Sequence, residues 1–258
     1  MLPRVVPVLL IKDGYLVKPT RFSGGTYVGD PVNAVRIFNE KQVDELVLLD
    51  VDASTRPAGI DYALLEEIAS EAFMPVAYGG GVVSAEVARR VTSIGYEKVV
   101  LNSAVTENPS VVSEIAGTLG SSSTVVSIDA KKRFTGGWEA VTQRATRRSG
   151  RTPAQLAKYV EDLGAGEIIL SSVDREGTFS GYDLPLIESV ASTVSIPVIA
   201  LGGAATTADF AQAVARGASA VAAGSMFVLN GRHKAVLISY PSRSELKSAF
   251  AEGEGPIT

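Results

Sequence analysis

The run Asp44-Glu45-Leu46-Val47-Leu48-Leu49 is answered by Gly166-Glu167-Ile168-Ile169-Leu170-Ser171, at a separation of 122 residues. The same separation carries Met74-Pro75-Val76 onto Ile196-Pro197-Val198, and Gly80-Gly81 onto Gly202-Gly203. It also carries Ile94-Gly95 onto Arg216-Gly217, and Ser103 onto Ser225. A constant offset over four consecutive elements marks an internal repeat. It predicts two four-strand halves related by a pseudo-twofold axis, so a site in one half predicts a partner site opposite.

Outward from these runs, short β-rich apolar segments alternate with helical patterns about eight times, as parallel βα units do. The strand candidates are Arg4–Ile11, Glu45–Val51, Pro75–Tyr78, Lys98–Leu101, Thr124–Ile128, Glu167–Val173, Pro197–Leu201 and Ala220–Ala223. Several are apolar on both faces, as strands covered inside and out must be. Helices are expected at Pro31–Glu40, Tyr62–Glu71, Ala85–Ile94, Thr152–Leu163 and Ala208–Arg216. Pro31, Pro109 and Pro153 suit a first helical turn, and Gly95, Gly164 and Gly217 suit a helix C-terminus. The reading is a single (β/α)₈ TIM barrel spanning residues 1–258, with 253–258 as a loose tail. The 258 residues match the usual length of one such barrel, about 250.

Composition narrows the chemistry. Net charge is −4, which offers no electrostatic reason for nucleic acid or an anionic membrane as partner. There are no cysteines, which excludes disulfides, thiolate metal sites and cysteine nucleophiles. The single histidine, His233, sits among polar neighbours and reads as a surface residue; no metal site and no cofactor are expected. No apolar run approaches membrane-spanning length, and the N-terminus lacks a signal-peptide pattern, so a cytoplasmic protein is expected.

In such barrels the active site lies at the C-terminal strand ends, and the glycine-rich turns fall there. Gly80 and Gly81 follow the third strand, with Asn102 and Ser103 ending the fourth. Gly202 and Gly203 follow the seventh, with Gly224 and Ser225 ending the eighth. Glycine lets backbone N–H groups approach an anion closely, so each half offers a phosphate cradle. Gly177 and Thr178, after the sixth strand, complete the second one. The pair suits a long ligand with a phosphate at each end. A single Gly-Gly turn can equally be a tight βα connection.

Asp129 ends the fifth strand and is a candidate general acid or base, unless it pairs with Lys131. Asp50 ends the second strand, placed to bind ligand hydroxyls or to cap a loop. The residue facing Asp129 across the pseudo-twofold is Leu10, with no ionisable group, so a paired-carboxylate mechanism lacks half its pair. At the opposite mouth Arg4, Glu45, Lys98 and Glu167 open four strands with alternating sign. They read either as a salt-bridged plug or as a gate over an axial passage.

Together these residues resemble the cyclase subunit family of imidazole glycerol phosphate synthase over nearly the whole chain. The matching stretches include Arg4-Val5-Val6-Pro7, Lys12-Asp13-Gly14, Gly29-Asp30-Pro31, Tyr78–Gly81, Ile128-Asp129-Ala130-Lys131 and Asp174 through Asp183. The resemblance implies a glutaminase partner docked on the N-terminal face and ammonia crossing the barrel to a bisphosphorylated ribonucleotide. It implies that Arg4, Glu45, Lys98 and Glu167 form the ammonia gate. The family's two catalytic aspartates fall on Leu10 and Asp129, and its active-site lysine on Lys18. An arginine of the flexible loop is replaced by Thr26, and a serine before the second Gly-Gly turn by Leu201.

The segments Lys18–Lys41 and Ala235–Pro241 are more similar to a paralogous branch associated with surface-polysaccharide genes. That likeness implies a barrel and a glutaminase supplying ammonia to a separate ATP-dependent sugar amidotransferase, as for acetamidino sugars of O-antigen. The alternatives are a working histidine-pathway cyclase using Asp129 and Lys18, and a structural or ligand-sensing barrel without ammonia traffic. Arg243 and Lys247 read as a solvated helix face.

Overall fold

A computed structural model of the chain describes residues 2–253. Eight parallel strands follow one another in chain order: Arg4–Lys12, Leu46–Asp50, Val76–Gly79, Lys98–Leu101, Thr124–Lys132, Glu167–Ser172, Val198–Leu201 and Ala220–Ala223. They are called the first to eighth barrel strands below. Each pairs with the next, and the eighth returns to the first with Ala220 opposite Arg4, which closes the barrel.

Strand alternation separates two apolar layers. Val6, Val47, Val100, Val125 and Ile169 fill the barrel axis. Their neighbours Val5, Leu46, Leu48, Val99 and Ile168 face outward into the shell between strands and helices. Both faces are dry, which is why the strands read as continuous apolar runs. The helix Pro31–Glu40 turns Val32, Val35 and Phe38 into that shell from one face. Asp30 caps it by accepting from Asn33 N at 2.8 Å.

The repeat holds in three dimensions. Leu46 N donates to Pro75 O and Ile168 N to Pro197 O, an equivalent pair of bonds one repeat apart. The helices Tyr62–Glu71 and Ala85–Ile94 have counterparts at Leu184–Ala191 and Thr207–Ala215. A methyl group on Gly95 would meet Ala69, and one on Gly217 would meet Ala191, the same contact in each half.

Several boundaries differ from expectation for one reason. The first and fifth strands run past Ile11 and Ile128 to Lys12 and Lys132 because each continues into an antiparallel hairpin. Leu10 lies opposite Val17 in the first hairpin, and Asp129 opposite Val141 in the second. The first turn uses Asp13-Gly14, both at positive φ (50° and 80°), the conformation a two-residue hairpin turn requires. Pro109 stands just ahead of the helix Ser110–Leu119 as its cap residue, not inside its first turn. Gly253 closes the last helix, Arg243–Gly253, and so does not begin a tail; residues 254–258 lie outside the described residues.

Candidate functional site

At the N-terminal mouth, alternation points Arg4, Glu45, Lys98 and Glu167 toward the axis. Arg4 bridges Glu45 and Glu167, and Lys98 Nζ lies 2.8 Å from a carboxylate oxygen of each. The four side chains form a closed cycle of alternating sign. Both carboxylates are almost fully buried, so the cycle supplies the counter-charges their desolvation demands. Burial works against the Arg4 guanidinium, but Glu167 and Glu45 outweigh it and hold its pKa above the ordinary value.

At the opposite mouth Gly80, Gly81, Asn102 and Ser103, the residues expected to form the first cradle, follow the paired third and fourth strands. Gly80 lies so close to the Asp50 backbone carbonyl that no side chain fits there. Asn102 Nδ2 donates to Ser127 O at 3.0 Å and to Asp129 Oδ2 at 3.1 Å. Ser103 Oγ accepts from Gln143 N at 3.3 Å, which brings the second hairpin over this cradle.

At the second expected cradle, Gly177, Gly202, Gly203, Gly224 and Ser225 line a small cleft together with Glu176. Ser225 Oγ is buried and has no hydrogen-bond partner. Thr178 turns away from the cleft; its Oγ1 donates to Arg175 O at 2.6 Å and meets Ser180 Oγ at 2.7 Å. Lys18 is buried at the same place in an ion pair with Glu176. The hairpin that carries Lys18 is fastened to the loop after the sixth strand by Arg21 N to Glu176 O at 2.8 Å and Arg21 Nε to Asp174 O at 3.1 Å.

Asp129 sits inside the mouth, 8 % exposed, and no ion pair joins it to Lys131 among the described residues. Burial pushes its carboxyl up to about 7; the Asn102 amide works against that shift and the Glu176 charge adds to it. Leu10, its counterpart, packs against the apolar axis. Asp50 is committed locally: it accepts from Asp52 N and Ala53 N at 3.1 Å each and from Arg56 through both oxygens. Burial raises its pKa and the Arg56 pair opposes that rise. That arrangement caps a loop, one of the two roles expected of this residue. Glu176 is the residue sequence reasoning passed over. It stands within Asp174-Arg175-Glu176-Gly177-Thr178, where a carboxylate inside a glycine-rich anion turn was the available signal. His233 is exposed in a turn, and no metal-binding cluster exists among the described residues.

A closed parallel barrel with glycine-lined turns at two symmetric pairs of strand ends and a four-charge ring on its floor defines a narrow class. The chain belongs to the histidine biosynthesis protein family, which it matches across residues 4–234. A Pseudomonas aeruginosa relative with the provisional name imidazole glycerol phosphate synthase subunit hisF2 is 49 % identical over 94 % of this chain and 97 % of its own. A Vibrio vulnificus relative, provisionally subunit hisF3 of the same synthase, is 46 % identical over 96 % of each chain. Imidazole glycerol phosphate synthase subunit HisF of Pyrococcus furiosus is 40 % identical over 87 % of this chain and 89 % of its own. No helix among the described residues is long and apolar enough to cross a membrane.

Proposed function

We propose that this chain is the barrel subunit of a glutamine-dependent amidation system, conducting ammonia from a glutaminase at its N-terminal mouth to the C-terminal mouth. The observation that carries the reading is a complete charged ring on the floor beside an incomplete acid pair at the top. Ammonia crosses Arg4, Glu45, Lys98 and Glu167, then an uncharged apolar axis in which Ala77, Ala220 and Ala222 stand among valines and isoleucines. Ser171 Oγ, buried at the axis without a partner, gives it one polar resting point. A phosphorylated small molecule occupies the strand-end cradles. The ammonia serves a separate ATP-dependent amidotransferase acting on a nucleotide-linked sugar of surface polysaccharide. The names of the relatives, each that of a synthase subunit, support a subunit role.

The test is co-purification with a co-encoded glutaminase, followed by ammonia transfer through wild type and Lys98→Glu. Association at micromolar concentration, with transfer lost in the variant, is expected. No association overturns the proposal; association with no ammonia transfer through wild type favours a barrel without ammonia traffic, and transfer unchanged in Lys98→Glu removes the ring as its gate. A second reading has one observation in its favour. A carboxyl near 7 at Asp129, with Lys18 close to the same mouth, suits the proton transfers of a histidine-pathway cyclase. Ammonium-driven turnover of the bisphosphorylated ribonucleotide by the unmodified chain would establish that reading.

A further inference from the structure

The second hairpin carries a charge that the chain as a whole does not. From Lys131 to Arg151 stand seven cations and one acid, Glu139, in a protein whose net charge is −4. All seven cations are exposed. Neighbouring carboxylates answer only some of them. Arg148 Nε lies 3.3 Å from Glu139, Arg144 Nη1 lies 3.0 Å from Asp52, and Lys132 Nζ stands 3.9 Å from Asp183. Lys131, Arg133 and Arg147 have no ion pair among the described residues. So many like charges on one short hairpin repel each other, and nothing in the barrel beneath requires them.

At the tip, Phe134 follows Arg133 and is fully exposed, covered by nothing in this chain. A bare aromatic ring beside arginines is the composition found at the centres of protein interfaces. The surface is also held in place. Trp138 Nε1 donates to Asp183 Oδ2 at 3.1 Å and Lys132 N to Asp174 Oδ2 at 2.7 Å, both in the loop after the sixth strand. A patch fixed before it binds loses little freedom on docking. A small anion in the mouth would be held by groups inside it, whereas the Arg148 side chain is 81 % exposed and that of Lys132 55 %.

The hairpin continues the fifth strand, so it stands at the C-terminal mouth, and Gln143 N ties it to Ser103 there. Ammonia that leaves this mouth into water is protonated and is no longer a nucleophile. An acceptor must therefore cover the exit, and the rim it meets is basic. We propose that this hairpin is the docking surface for the enzyme that takes the ammonia, a protein whose carboxylate-rich face seats over Phe134 and the arginines and closes the mouth. The inference rests on the barrel being an ammonia conductor, and the experiment separates the two.

The complex of this chain with its glutaminase is tested against the co-encoded ATP-dependent amidotransferase, as wild type, Arg147→Glu/Arg148→Glu and Phe134→Ser. Binding kinetics are read at low and high salt, and a coupled ammonia trap reports leakage during glutamine-driven amidation. Wild type is expected to bind with an on-rate that falls steeply with salt, and to leave the trap silent. The double arginine variant is expected to associate about tenfold more slowly or worse, and Phe134→Ser to dissociate faster. Both variants should keep full glutaminase activity and spill ammonia into the trap. No binding by wild type, or binding indifferent to salt and to both variants, overturns the inference, while ammonia emerging into the trap leaves conduction standing. A duplex oligonucleotide bound as tightly as the amidotransferase also overturns it, by assigning the patch to nucleic acid. Ammonia reaching neither trap nor product in wild type overturns the conductor reading, and the binding kinetics still decide the docking surface.

Discussion

Asp129 shows what one buried carboxyl does to a small region of the barrel. Its folded pKa of about 7 lies above the ordinary carboxylate value, so the native state holds a proton that the unfolded chain has already released. The stability this contributes is fully present below about pH 4. It is lost at roughly 1.4 kcal/mol per pH unit as pH rises toward 7, and the loss levels off above that. Asp129→Asn removes the titration. Denaturant unfolding at pH 8 and pH 5 is expected to find the variant more stable than wild type at pH 8, with the advantage shrinking at pH 5. Asp129 was legible in the sequence because a strand-end carboxylate is a plain signal. Its neighbour Glu176 was not, because its pairing with Lys18 joins residues whose contact only the hairpin creates.

Among the elements, strands and most helices were readable from apolar periodicity, and the helix Ala85–Ile94 has the limits its pattern predicts. The hairpins after the first and fifth strands were not, although Asp13-Gly14 is a strong turn signal. Their return strands, Tyr15–Thr20 and Trp138–Thr142, are too short to show a clear apolar period. Ties between elements also escape periodicity. Glu161, on the helix Pro153–Asp162, accepts from Ser195 N at 2.7 Å, Ser195 Oγ at 2.6 Å and Ile196 N at 3.2 Å, pinning the approach to the seventh strand. Lys158 and Ser195 hold its carboxyl down at about 2. This contribution is present above the ordinary glutamate value and is lost as pH falls toward 2. Glu161→Ala is expected to cost about 1–3 kcal/mol at neutral pH, read as a lower urea midpoint. An unchanged midpoint would mean that water replaces the carboxylate there.

For the whole molecule, the 122-residue repeat made the architecture legible before any single strand was secure. What the repeat could not reveal is where the halves differ, since the differences are the few positions that escape it. The floor ring is partly such a feature: Glu45 and Glu167 are repeat partners, Lys98 falls on Ala220, and the ring closes only when all four charges meet. Removing one cation leaves two buried carboxylates sharing Arg4, so Lys98→Met is expected to destabilise the barrel by roughly 3 kcal/mol in urea unfolding. Adding Glu45→Gln to that variant should recover part of the loss; no recovery would show that the ring is not electrostatically coupled. The top of the barrel offers a complementary measurement. Leu10→Asp restores a second carboxyl opposite Asp129, and cyclase turnover appearing only in this variant would place the loss of that chemistry at Leu10. Turnover equal in both proteins would remove the case for a lost acid.

Gly224 has an ordinary backbone conformation, φ −109°, so nothing in its dihedral angles demands glycine. Its lack of a side chain matters because Lys18 fills that volume. Positions 18, 176 and 224 therefore meet at one point, though they lie far apart in the chain. A descendant that acquires alanine at 224 must swing the flexible end of that lysine aside. What stands at 224 therefore sets how freely that lysine can swing within the mouth.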